Sequence, residues 1–177
     1  KAEAATGLVF VGNASSTGNS GAFSVSLTNL QGGAGGSAAA GDLVIVIDGW
    51  NGTADGNPGV GTAGYTELAD LYQNDGFDVN MSANWKTMGP APDTSVSCNG
   101  SGSTTNGAVC LVHVWRNAAS TTPMDVTVVT AGGINGATPD NSAITPVTQG
   151  AVIVDAAMAT DDDNTLPTVS APTGFGN

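Results

Sequence analysis

At 177 residues the chain suits a single domain with room for a hydrophobic core. Only 10% of its residues are charged, and three basic residues (Lys1, Lys86, Arg116) against fifteen acidic ones give a net charge of −12. Binding to phosphate backbones or to anionic membranes needs clustered Lys and Arg, so the composition argues against both partners, and no apolar run approaches the roughly 20 residues of a bilayer span.

Surface polarity must come from Gly, Ser, Thr and Asn, residues that favour strands, turns and loops over helix interiors. The chain starts at Lys1 rather than Met, so either a leader was removed or the sequence begins inside a longer one. The first apolar run, Leu8, Val9, Phe10 and Val11, reads as a short strand near a terminus, followed by a loop over 12–21. In 23–28, Phe23, Val25 and Leu27 alternate with Ser24, Ser26 and Thr28, the pattern of a half-buried strand. A glycine-rich loop over 31–41 leads to an apolar strand over 43–47, and a second long loop covers 51–64. Residues 65–72 place Tyr65, Leu68 and Tyr72 at helical spacing but read as strand and turn. The clearest alternation is 77–86. Phe77, Val79, Met81, Ala83 and Trp85 are expected on the core face, with Asp78, Asn80, Ser82, Asn84 and Lys86 on the polar face.

Further loops are expected over 99–107, 131–141 and 160–172, and further strands over 109–115, 126–129 and 151–154. Runs that are apolar on both faces belong in sheets covered on both sides, by a second sheet and by long loops or a neighbouring subunit. A weak internal echo links two stretches. Gly41-Asp42-Leu43-Val44-Ile45, a polar loop and Gly64-Tyr65-Thr66 resembles Gly150-Ala151-Val152-Ile153-Val154, an acidic loop at Asp161-Asp162-Asp163-Asn164, and Gly174-Phe175. The second copy ends at Asn177, where the first continues into further strands.

The frame Leu8-Val9-Phe10-Val11-Gly12, Gly41-Asp42-Leu43-Val44-Ile45 and Gly64-Tyr65-Thr66-Glu67-Leu68 resembles phage- and prophage-encoded structural proteins of unassigned role. So do Ala91-Pro92-Asp93-Thr94-Ser95-Val96, Val112-His113-Val114-Trp115-Arg116, Thr121-Thr122-Pro123-Met124-Asp125-Val126 and Ile144-Thr145-Pro146-Val147. The resemblance spans most of the chain and rests on scaffold residues. It implies a β-sandwich in virions, tail fibres or other extracellular assemblies, and carries no catalytic residues. Members of this kind usually continue beyond the position of Phe175, whereas this sequence stops at Asn177.

Cys98 and Cys110 flank a Gly/Ser/Thr-rich loop and are expected to form a disulfide across it; two buried thiols are the alternative. Four sequons make Asn13, Asn51, Asn80 and Asn99 candidate N-glycosylation sites, although a chain this rich in Asn, Ser and Thr produces sequons by chance. Asp161–Asp163 with Asn164, and Asp48, Asp55 and Asn57 in the earlier loop, offer hard oxygen ligands, but their spacing matches no EF-hand and a solvated acidic turn is favoured. No metal and no cofactor is expected, since two cysteines and the lone His113 fall short of a zinc shell. His113 lies between Val112 and Val114 without a nucleophile elbow, so it reads as structural. Paired carboxylates for glycoside hydrolysis would have to come from Glu3, Glu67 and aspartates that lie mostly in loops, and the glycines at 32–36 lack the lysine of a phosphate-binding loop. Trp85 and Trp115 follow the core pattern, while Trp50 begins a polar loop and is the candidate carbohydrate contact.

These readings give an all-β, jelly-roll-like β-sandwich of two antiparallel sheets with long loops over residues 14–177, preceded by a candidate donor strand in residues 1–13. The expected function is a non-enzymatic structural subunit of an extracellular filament or virion appendage. It would assemble with copies of itself by donating Leu8, Val9, Phe10 and Val11 to a neighbour. The alternative is a carbohydrate-binding or adhesive module of a phage tail or fibre, with glycans as partners.

Overall fold

A computed structural model describes residues 7–52, 54–74, 78–100, 107–132 and 143–158. Among them the chain is all-β, with no helix and seven strands: β1 (Val9–Gly18), β2 (Phe23–Ser26), β3 (Leu43–Asn51), β4 (Thr66–Gln73), β5 (Val79–Thr87), β6 (Ser95–Cys98) and β7 (Ala108–Arg116). They form two antiparallel sheets, one ordered β1-β7-β3-β5-β4 and the other β2-β6.

Register decides which side chains meet. Val44 faces Val114 and Lys86, Val46 faces Val112 and Asn84, and Asp48 faces Cys110 and Ser82. That inner face of the large sheet packs against the small one. Val11, Val44, Val46, Cys110, Val112 and Val114 meet Val25, Leu27, Val96 and Cys98 in one buried cluster. The outer face carries Phe10, Leu43, Ile45, Trp85, His113 and Trp115, and Phe10 stacks between His113 and Trp115 at 5.6 and 4.8 Å. Leu43 and Ile45 are only 5% and 9% exposed, so β3 is covered on both sides, as its doubly apolar sequence requires.

β1 runs without interruption across residue 13, where the sequence suggested a loop from 12 to 21. A bulge between Phe10 and Gly12 lets it do so. Gly12 has φ +152, and an added Cβ would lie 2.7 Å from the Gln31 carbonyl oxygen, so only glycine fits where the 30–35 segment crosses the strand.

Three expectations need correction. Residues 126–129 and 151–154 form no strand, because neither joins a ladder. β6 was not anticipated; its Ser-Val-Ser-Cys alternation is too short to stand out from the surrounding loop. In β5 the faces are reversed: Asp78, Asn80, Ser82 and Asn84 are 6%, 0%, 1% and 5% exposed, whereas Val79, Met81, Ala83 and Trp85 are half-buried on the outer face. The small sheet has only two strands, and on the inner side of β5 a loop takes its place. A loop presents unpaired backbone N–H and C=O groups, which polar side chains satisfy and apolar ones do not. Phe77, the acidic run at 161–164 and the Gly174-Phe175 half of the echo lie outside the described residues.

Candidate functional site

The polar interior is built from β3 and β5 outward. Asn80 accepts from the Gly56 N–H through Oδ1 at 2.7 Å and donates from Nδ2 to the Ala54 carbonyl at 3.2 Å. Asp48, fully buried on β3, accepts the N–H groups of Gly59 and Asn99 on one oxygen, Oδ2, at 3.0 and 3.1 Å. These two side chains clamp the 54–59 loop and the end of β6 onto the large sheet. Asp48 Oδ1 has no hydrogen-bond partner among the described residues. Burial pushes the Asp48 carboxyl up to about 6, against the lowering effect of the N–H groups of Gly59, Asn99 and Gly49.

Beside this clamp opens a cavity of ≈ 480 Å³ lined by Asn57, Pro58, Gly59, Val60, Tyr65, Glu67, Asn84 and Asn99. The Tyr65 hydroxyl has no partner among the described residues, and burial with the nearby Asp93 charge raises its pKa. Lys86 lies over the Tyr65 ring at 5.3 Å and pairs with Asp93 at 2.7 Å.

Cys98 of β6 and Cys110 of β7 form a disulfide, which staples the small sheet to the large one. The donor atoms of Asp48 and the two cysteines fall within 4.8 Å of one another. Both sulfurs are engaged in the disulfide, so this group offers a metal one carboxylate and no thiolate. His113 stands half-buried against the Phe10 ring, and burial lowers its pKa.

The other singled-out residues are scattered. Trp50 is 7% exposed, with the Gly56 backbone packed on its ring, so it is closed to a sugar; the polar loop it precedes folds back over it. Asn80 is buried with its amide in two hydrogen bonds, so it is corrected from an exposed sequon to a structural clamp. Asn13, Asn51 and Asn99 are half-buried; Thr53 and Ser101, which complete two of their sequons, lie outside the described residues. Asn57 lines the cavity and Asp55 is exposed. Leu8 and Val9 are each 37% exposed, Val9 and Phe10 pair with Arg116 and Trp115 of the same chain, and Val11 is fully buried.

The chain matches no known family, no curated protein and no solved structure.

Sequence reading missed Asp48 as a clamp and did not anticipate the surface formed by residues 143–158, here termed the strap. The Asp125 carboxylate accepts the N–H groups of Val147 and Thr148 at 2.6 and 3.2 Å, fixing one end of the strap. At the other end Met158 Sδ sits over Gly49 on the outer face of β3, in the space a Cβ would need. Val147 at the first anchor is 78% exposed, and Val152, Ile153 and Val154 between the two anchors are 46%, 37% and 36% exposed.

Proposed function

We propose that this chain is a non-enzymatic structural subunit of an extracellular filament or virion appendage. In this reading it is a jelly-roll-like sandwich with long loops, and it assembles with copies of itself by β-strand addition. The observation that supports it best is the strap, which presents a cluster of aliphatic side chains to water in a chain of net charge −12. Clustered exposed aliphatic surface marks an interaction site more often than isolated apolar residues do. Donation by Leu8, Val9, Phe10 and Val11 requires exchange, because β1 must leave β7 and Val11 must leave the core before a neighbour's copy replaces them. Electron microscopy of native material together with sedimentation across a wide concentration range tests the reading. Ordered assemblies are expected, and a monodisperse monomer at every concentration refutes it.

The cavity beside Tyr65 favours a second reading, a glycan-binding module in which amides, one carboxylate and an aromatic ring meet a sugar. A glycan array with wild type and Asn84→Ala distinguishes the two. Sugar-dependent binding lost in the variant supports the module.

A further inference from the structure

Two turns in this chain are built alike. Before β3, the Asp42 N–H donates to the Ala39 carbonyl at 3.1 Å and Gly41 has φ 84. In the strap, the Ala151 N–H donates to the Thr148 carbonyl at 3.2 Å and Gly150 has φ 85. In both, a glycine with positive φ at the third turn position turns the chain into a run rich in β-branched residues. After Gly41 that run becomes the central strand of the large sheet, whereas after Gly150 it joins no ladder or bridge among the described residues.

Three of the four sheet edges, those of β1, β6 and β4, are guarded. β1 exchanges hydrogen bonds with Gln31 through Asn13 at 2.8 and 3.0 Å, and it accepts from Ala34 and Gly35 through Phe10 and Val11. β6 is covered by Gly59, Gly61 and Thr62. β4 carries a bulge between Glu67 and Ala69 and presents exposed Glu67 and Asp70, both devices that discourage strand addition. Residues 143–154 contain no charged side chain, and the exposed Asp155 that follows them falls at the two ends of an antiparallel pair of 151–155, so two strongly acidic copies can meet there with their strap charges apart.

We infer that the strap is the interface between copies of this chain, with residues 151–155 of two molecules pairing antiparallel about a two-fold axis. This rests on the self-assembly reading above and adds a closed two-fold contact to it, the open contact of a filament being left to donation of residues 8–11. Centring on Ile153 sets Ile153 opposite its own copy, Val152 opposite Val154 and Ala151 opposite Asp155, which removes apolar side chains from water and pairs the backbone N–H and C=O groups. Five residues make a short ladder, so association is concentration-dependent.

Sedimentation equilibrium tests the inference with wild type, Val152→Glu and Ile153→Pro, the first placing a charge in the contact and the second removing an N–H donor. Ala91→Glu serves as the control, since Ala91 is exposed in the connection between β5 and β6, outside the strap and its anchor at Gly49. Far-UV circular dichroism checks that each variant folds. The expected result is a dissociation constant at least tenfold weaker for both strap variants and unchanged for the control. If wild type and strap variants associate equally, the inference falls and the self-assembly reading stands; if wild type never associates, both fall. Amide exchange at Val152–Val154 that is slow at every concentration would mean the chain covers its own strap, which also overturns the inference.

Discussion

Asp48→Asn separates the hydrogen bonds of this buried residue from its charge. The carboxyl titrates near 3.8 in the unfolded chain and near 6 in the folded one. The folded state therefore binds the proton more tightly, so the group's contribution to stability is fully present below pH 4 and is lost as pH rises through 6. At about 1.36 kcal/mol per unit, a rise from 3.8 to about 6 corresponds to a loss of about 3 kcal/mol at neutral pH. The amide of the variant keeps one oxygen to accept from Gly59 and Asn99, and exchanging charged for neutral hydrogen bonds shifts stability by an amount independent of pH. The other carboxylates titrate in both proteins and cancel in the difference. Urea unfolding followed by tryptophan fluorescence at pH 4, 5, 6 and 7 should show the variant gaining on wild type by up to about 3 kcal/mol across the series. A difference that stays flat between pH 4 and 7 refutes an Asp48 that is protonated more readily in the fold.

Reduction of Cys98–Cys110, which lie 12 residues apart, should lower unfolding free energy by about 3 kcal/mol in denaturant titrations; unchanged midpoints in protein shown by mass to be reduced would contradict the stapling role. Asn80→Ala leaves the Gly56 N–H and the Ala54 carbonyl without their partner. It should cost about 2–4 kcal/mol and open the 54–60 loop to limited proteolysis. Gly12→Ala must place a Cβ 2.7 Å from the Gln31 oxygen in a backbone conformation that L residues avoid, so its melting temperature should fall clearly, by the equivalent of about 2 kcal/mol.

Much of the architecture was legible because period-two alternation, and short apolar runs bounded by glycine, are patterns that strands produce and helices or loops rarely do. Five of the seven strands begin on segments read that way, β4 falls on a stretch whose spacing was ambiguous, and the doubly apolar run at 43–47 lies in the centre of its sheet. Alternation separates two faces but does not say which one looks inward. In β5 the answer turned on residues 54–59, distant in sequence, whose backbone needed Asn80 and Asp48 more than the core needed Trp85. The same limit hid the closure of Trp50, since a residue at the mouth of a polar loop can be roofed by that loop. Residues 151–154 have the composition of a strand, yet a strand needs a neighbour, and composition does not supply one. The disulfide was readable from spacing and composition; the clamp beside it was not, because a lone Asp in an apolar run carries no local mark of what it will hold.

The reversed faces of β5 give the two coverings of the large sheet different failure modes. Lifting the 54–59 loop uncovers amides and a carboxyl, a surface that water wets readily and that attracts little else. Peeling the strap away from Gly49 bares the outer face there, where Met81 and Val109 flank Gly49 across the ladders. Under heat or mild denaturant the first event should be silent and reversible, whereas the second should set the onset of clumping.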